Sequence, residues 1–388
     1  MKFKHVKIIF IFFSSQILDC SSQGGGQIAL RTALTSLTNT LSALLSGTAS
    51  NEQPKPPSNR SKNIRESLIS DLKTFESADS LFKEFGLSKA PSAADRLLFK
   101  EEKIKIDKWN KEFVEGKQNV FLKFTEKTFK KLTNFGLIRK NMLKEVVGRV
   151  KRFTGFMKCS FKYPLSIVLP ENFSWRSKIE FPVRDQGLCG ACWATSGIAA
   201  LEYYNYIQYN NTNRLSVQQS VDCSTLGYGC EGGFPTDVFD LCLESGIVSE
   251  SSYQYTKEEG QCKNTNLMPK VMNSTAFRSY CVVNAVNEDQ IAYIVMKYGP
   301  VPAAVCATGF TFEHYAGGVL TPKDCTCEPD HAILIVGFGK DPITGLKYWE
   351  CKNSWSSGWG EAGYFKIQFG VGCCSLLEIP EAIIVARP

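Results

Sequence analysis

At 388 residues, 43% hydrophobic and 21% charged, the chain has enough apolar material for one large domain plus a smaller segment, which excludes a disordered or fibrous protein. Its net charge of +7 comes from lysines and arginines scattered along the chain and densest in the first 160 residues, with no arginine-rich block, so nucleic acid is not an expected partner. Fifteen cysteines, most of them beyond residue 185, point to an oxidising compartment and several disulfides, and the odd total leaves at least one thiol unpaired.

Lys2, Lys4 and Lys7 precede the apolar run Ile8 to Phe13, and Cys20, Ser21 and Ser22 follow as cleavage-site residues, so residues 1–22 are predicted to be a secretory signal peptide. Ser14, Ser15 and Gln16 cut the run short of the ~18 apolar residues a membrane helix needs, and no later run is that long, so no membrane span is expected. The implied location is secreted or lysosomal, via the secretory pathway. There the sequons at Asn59, Asn172, Asn210 and Asn273 are candidate glycosylation sites.

Residues 23–63 form a low-complexity region: three glycines, a Leu/Thr/Ser stretch, then Pro54, Pro56 and Pro57 in a polar setting that reads as a flexible linker. Residues 64–165 have few glycines, many charges and apolar residues at helical spacing. Phe75, Phe82 and Phe85 mark one candidate helix, and Arg96, Phe99, Glu102, Ile106 and Asn110 recur at steps of three and four on one face of another. By pattern alone this is an amphipathic helical bundle.

The remaining residues, 166–388, are rich in glycine and cysteine. Gln186-Gly187-Leu188-Cys189-Gly190-Ala191-Cys192-Trp193 leads into a stretch to Tyr206 with no proline and one interior glycine, Gly197, which predicts a helix beginning at or just before Cys192. A thiol becomes a nucleophile as thiolate, and a helix N-terminus or a neighbouring imidazolium lowers its pKa. Gln186 carries an amide donor suited to an oxyanion. Cys189 and Cys192 also form a C-x-x-C pair, which leaves a redox motif, half a zinc site or two structural cysteines as alternatives. Gly232 and Gly233, after Cys230, offer a bare backbone edge to an extended peptide, or else a disulfide-pinned loop.

The last third reads as β, with short runs at Tyr280–Val283, Val301–Val305, Ala332–Val336, Tyr348–Cys351 and Tyr364–Ile367. A helical lobe followed by a barrel-like antiparallel lobe is expected, with a site in the cleft between them. Of the three histidines, His5 falls in the signal peptide, His331 stands at the mouth of a buried strand, and His314 in an aromatic turn reads as structural. No HExxH or similar cluster supports a metal site, and no cofactor is expected. Asn353 is the candidate orienter of His331, with Trp355 and Trp359 available to shield it.

From Leu169 to the C-terminus these motifs resemble the papain-like cysteine peptidases of the cathepsin family. Cys189-Gly190-Ala191-Cys192-Trp193 matches their C-G-[SA]-C-[WY] signature, with His331 139 residues (331 − 192) and Asn353 161 residues (353 − 192) downstream of Cys192. The resemblance implies an α+β, papain-like two-lobe fold preceded by a mainly helical prodomain. It implies Cys192 as nucleophile, His331 as general acid/base, Asn353 as orienter and Gln186 as oxyanion donor in peptide hydrolysis through an acyl-enzyme thioester. Gly232, Gly233, Phe234, Pro235, Ala304, Pro329, Asp330, Ala332, Trp355 and Ile379 resemble the substrate-binding residues. The apolar pocket among them implies a hydrophobic or aromatic preference two residues before the scissile bond, whereas Glu378 in place of Ile379 would admit a basic residue if the C-terminal register shifts by one. Implied disulfides are Cys189–Cys230, Cys223–Cys262 and Cys325 with Cys374 or Cys373; Cys242, Cys281, Cys306, Cys327 and Cys351 have no counterpart, and Cys327 with Cys373 would make an extra bridge.

Arg96, Phe99, Ile106 and Asn110 match the interrupted helix pattern of cathepsin L-like propeptides, with Ser92 and Glu102 in place of Glu and Asn. Phe124 and Glu126 resemble a degenerate second propeptide motif, in which Val120 and Leu122 stand where Gly and Asn are usual. The implied zymogen has an inhibitory propeptide at 64–165 that runs through the cleft in the non-productive direction, a processing site within 157–169, and a peptidase domain at 166–388. Protein and peptide substrates, the chain's own propeptide and cystatin-type inhibitors are the implied partners of a monomer. No histidine pair is available for an occluding loop, which favours an endopeptidase. Thr195 in place of Phe and Ser356 in place of Gly support the alternative, a catalytically weak homologue acting as a binding or decoy protein.

Overall fold

The computed structural model describes residues 57–86, 89–125, 156–158, 167–282, 287–325, 327–376 and 384–387. The expected signal peptide, most of the low-complexity region, residues 126–155 of the expected propeptide with Glu126 among them, and Ile379 lie outside the described residues.

Helices α1 (Asn59–Ser70), α2 (Ala78–Glu84) and α3 (Ala93–Val114) open the described chain. Serine starts each of them: the hydroxyls of Ser58, Ser77 and Ser92 accept N–H groups of the first turn, which otherwise lack partners. The cap at Ser58 sets α1 inside the stretch expected to be linker through residue 63. Arg65 then fixes the helix by donating to the carbonyls of Phe113 (2.8 Å) and Gln118 (2.9 Å). Phe75 precedes α2 instead of lying within it, and packs edge-on against Phe124. On α3, Phe99, Glu102, Ile106 and Asn110 are buried as the spacing predicts, while Arg96 at the edge of that face pairs with Asp79.

The chain then forms β1 (Val120–Leu122), β2 (Phe156–Lys158) and β3 (Phe173–Ser174). The Asn110 carboxamide grips β1, donating to Leu122 O at 2.9 Å and accepting Leu122 N–H at 2.8 Å. Next comes the helical lobe, built on α4 (Cys192–Tyr209), α5 (Val217–Cys223) and α6 (Pro235–Ser245). Every residue of α4 from Cys192 to Asn205 is buried, because the helix is covered on all sides.

The short pair β4 (Ile247–Val248) and β5 (Lys270–Met272) follows, then β6 (Ser279–Val282), α7 (Glu288–Tyr298), β7 (Val301–Val305), α8 (Phe310–Glu313) and β8 (Tyr315–Leu320). Strands β9 (His331–Lys340), β10 (Lys347–Lys352), β11 (Tyr364–Gln368) and β12 (Ile384–Arg387) complete the chain. Strand β8 was not among the strands expected from sequence. The main sheet has the order β1-β8-β11-β10-β9-β3, with β7 also on β9. It departs from the expected antiparallel lobe at one pair, since β8 and β11 run parallel. The cause is the connection 321–330, which returns the chain before β9, so that β8 and β9 run the same way. A second sheet pairs β6 with β12 and, in parallel, with β2.

The three implied disulfides are present: Cys189–Cys230, Cys223–Cys262 and Cys325–Cys374. The suggested Cys327–Cys373 bridge is absent, and Cys327 bonds Cys306 instead. Cys306 follows directly on β7, and Asp330 N–H donates to Val305 O, bringing the 327–330 loop alongside. Cys281 is also disulfide-bonded. Among the described residues, Cys242, Cys351 and Cys373 are free and buried, and Cys192 is buried and in no disulfide. Burial pushes the thiols of Cys242 and Cys351 far up, and that of Cys373 up to about 12, so all three are poor nucleophiles.

Candidate active site

Cys192 is the first residue of α4, and its predecessor Ala191 makes no side-chain cap, so the thiol stands at the positive end of the helix. The turn before it is pinned by the Cys189–Cys230 bridge and by Gly190 N–H to Cys230 O at 2.8 Å. A Cβ on Gly190 would come within 2.3 Å of Cys230 O, so only glycine admits this approach. The disulfide removes the C-x-x-C redox and zinc readings.

His331 begins β9, and Asn353 follows the end of β10, which pairs antiparallel with β9. His331 Nε2 meets Asn353 Oδ1 at 2.8 Å, and both residues are buried. Trp355 lies with its ring centroid 4.9 Å from the imidazole, and Trp359 packs edge-on behind it. These rings exclude water from the pair, as the sequence suggested.

Gln186 is fully buried. Its amide donates one N–H to Cys189 O at 2.9 Å, and its Oε1 accepts the Ser354 hydroxyl. Ser354 N–H in turn donates to Asn353 Oδ1 at 2.8 Å. One continuous chain of hydrogen bonds thus runs from the Cys189 turn through Gln186, Ser354 and Asn353 to His331. The backbone doubles the link, with Gln186 N–H to Ser354 O at 2.9 Å and Ser356 N–H to Arg184 O at 3.0 Å. Arg184 is itself tied to α4, since both its Nη atoms reach the Glu202 carboxylate at 2.7–2.9 Å. Burial alone would push the Glu202 carboxyl up, but Arg184 and Arg214 hold it below the usual range. Ser354, which the sequence placed only within a motif, is the joint of this network.

Of the expected substrate-binding residues, Ala304 and Ala332 are opposed partners on β7 and β9, and Pro329 is buried beside Asp330. Asp330 turns its carboxylate to the N–H groups of Ala307 (2.7 Å) and Thr308 (3.2 Å), and burial holds it above its ordinary range. Phe234 and Pro235 lie at the start of α6, and Gly233 packs against the Trp193 indole, where a Cβ would come within 2.6 Å. Gly232 stands at φ 122, accepting Tyr228 N–H through its carbonyl.

His314, read from sequence as structural, is buried where α3 meets the β-lobe, with its Nε2 3.5 Å from Glu102 Oε2. The four sequon asparagines are all exposed. Among the described residues, the cluster with metal-ligand chemistry is Cys325, Cys373 and Cys374, and the disulfide between the first and last removes two of its ligands.

Residues 169–383 match the papain family cysteine protease pattern, more than half the chain, and the protein belongs to that family. It is 38% identical over 236 residues to cysteine proteinase 15A of Pisum sativum, covering 56% of this chain and 63% of the relative. It is 36% identical over 202 residues to a cathepsin L-like proteinase of Phaedon cochleariae, covering 51% and 60%. The match thus spans about three fifths of these relatives' length. The structure is similar to the Amb a 11 cysteine protease of ragweed pollen in its proform, with TM-score 0.66, 25% identity, and 84% of this chain and 94% of that one covered.

Proposed function

We propose that this protein is the zymogen of a cysteine endopeptidase, made in the secretory pathway, with Cys192, His331, Asn353 and Gln186 as its catalytic set. The observation that carries the reading is the hydrogen-bond chain from Gln186 to His331 together with the Cys192 thiol, in no disulfide, at a helix N-terminus. The Cys192 thiolate attacks the peptide carbonyl, while the Cys192 N–H and the remaining N–H of the Gln186 amide stabilise the oxyanion. His331 protonates the departing amine, leaving an acyl-enzyme thioester. Water that loses its proton to His331 then releases the acid and restores the thiol. Asn353 holds the imidazole orientation throughout. The family and the proform likeness favour peptidase activity over a decoy role.

Residues 64–165 act as the intramolecular inhibitor in this reading and 166–388 as the peptidase domain. Glycans at the four exposed sequons, inhibition by cystatin-type proteins, a monomeric state and a secreted or lysosomal location belong to the same proposal. The pocket of Phe234, Pro235, Ala304, Pro329, Ala332 and Ile379, with Gly232, Gly233, Asp330 and Trp355 around it, selects an apolar residue two before the scissile bond.

Acidifying the purified precursor tests this reading, with chain mass followed alongside cleavage of a peptide carrying a hydrophobic residue at that position. Wild type is expected to shorten and become active, and Cys192→Ala to do neither. Folded wild type that is trimmed by an added protease yet neither cleaves nor binds a thiol-directed probe would sink the proposal.

A further inference from the structure

The Asn353 carboxamide is satisfied at one end only. Its Oδ1 meets His331 Nε2 at 2.8 Å and Ser354 N–H at 2.8 Å, and because a backbone N–H can only donate, the oxygen must lie on that side. The Nδ2 atom at the other end is buried and has no hydrogen-bond partner among the described residues. Asn353 as a whole is only 3% exposed, so bulk water does not serve it. A buried amide donor in this state carries a desolvation penalty that no protein group offsets.

A narrow pocket reaches the same residue. It has Pro182 as its exposed edge, lies between α4 and the start of β9, and is lined by Thr195, Ser196, Asn353 and Ser354 among its polar residues. Its free volume of about 10 Å³ is the room one water needs. The charged side chains in the wall can only donate and are engaged, Lys352 with Phe181 O and Arg184 with Glu202 and Leu215 O. The side-chain acceptors left for a water are therefore hydroxyls. Thr195 Oγ1 donates to Ala191 O at 2.9 Å, one turn back on α4, and its oxygen keeps lone pairs to accept with. Thr195 also stands where the family pattern has Phe, whose ring would take up a space of this size.

We propose that this pocket binds one structural water, which accepts an Asn353 Nδ2–H and donates to Thr195 Oγ1, so that Thr195 is a positioning residue for His331. Held at both its oxygen and its nitrogen, the carboxamide plane is fixed, and with it the direction in which Oδ1 meets the imidazole. Without the water, the Nδ2 end turns towards other acceptors and carries Oδ1 off the His331 bond. The departure at residue 195 then serves the site instead of marking a weak homologue. The effect on catalysis rests on the peptidase reading above, whereas the water itself is tested without turnover.

A crystal structure of the full-length Cys192→Ala chain, refined far enough to order its buried waters, is expected to show one water about 2.7–3.2 Å from both Asn353 Nδ2 and Thr195 Oγ1. The same chain carrying Thr195→Val, which keeps the shape and removes the hydroxyl, is expected to lose it. In kinetics on protein trimmed by an added protease, Thr195→Val should lower kcat about three- to tenfold at unchanged KM, the worth of one ordinary hydrogen bond. Thr195→Ser should recover most of that loss, and Ser196→Ala, in the same wall, should cost less than about twofold. A dry pocket, or a water bonded elsewhere, overturns the proposal, and the parent crystal alone decides this should Thr195→Val fold poorly. So does a kcat for Thr195→Val within about twofold of the parent, a loss in Thr195→Ser as large as in Thr195→Val, or a loss that follows Ser196→Ala instead. An inactive trimmed wild type would refute the peptidase reading separately, with the water still present or absent in the Cys192→Ala crystal.

Discussion

Asn353→Ala isolates the orienting contact of the proposed site. Asn353 Oδ1 receives the His331 Nε2 hydrogen bond at 2.8 Å inside a buried setting roofed by Trp355. A hydrogen bond to a charged group contributes about 1.5–3 kcal/mol. That bond is stronger to the imidazolium than to the neutral ring, so its loss makes the imidazolium of a thiolate–imidazolium pair give up its proton more readily. The pH profile of kcat/KM, measured on protein trimmed by an added protease, should keep its acidic limb near the parent position. Its alkaline limb should move to lower pH. At neutral pH kcat/KM should fall roughly 10- to 150-fold, mostly in kcat. An unmoved alkaline limb together with a loss of less than about threefold would refute the assignment of Asn353 as orienter.

Other consequences concern the scaffold. Asn110→Ala leaves the Leu122 N–H and C=O without their partners; at about 1–3 kcal/mol for each buried group, prosegment docking should weaken at least tenfold, read as activity leaking from the uncleaved precursor at neutral pH. Lys352 is buried, donates to Phe181 O, and burial depresses its pKa to about 7. The unfolded chain therefore holds a proton that the folded chain lacks between about pH 7 and ~10.4, and stability from this group rises with pH across that window. Urea midpoints at pH 7 and 9 should show this rise in the Cys192→Ala chain and lose it in the Lys352→Met derivative. Replacing both Cys306 and Cys327 by Ser frees a loop with a sequence separation of 21 residues. The stability loss should be about 3 kcal/mol, measured by urea unfolding under non-reducing conditions.

Legibility in the sequence followed distance along the chain. The start of α4 at Cys192 could be read because a helix is a local event, signalled by periodicity and by the absence of breakers. The buried face of α3 was legible for the same reason, with Phe99, Glu102, Ile106 and Asn110 buried at steps of three and four. Where the reading went astray, a short-range detail decided: the Ser58 cap started α1 within a proline-marked stretch that composition alone assigned to a linker. Strand β8 was missed because Tyr315-Ala316-Gly317-Gly318 carries two glycines, which weaken a strand signal yet admit β1 beside it.

By itself the sequence determined the strongly patterned elements, the family signature and the identities of the groups proposed to do chemistry, because each is encoded in a residue type or a short repeat. Only the tertiary structure decided which of those groups meet. Ser354 reaches Gln186 across 168 residues, and Cys306 takes Cys327 as its partner in place of the Cys373 suggested beforehand. His314 faces Glu102 from the far side of the prosegment seam, although nothing in its local setting set it apart from an ordinary structural histidine. The physical reason is that periodicity records which side of an element is buried, whereas the choice of partner depends on the path of the chain between elements, which no local pattern contains.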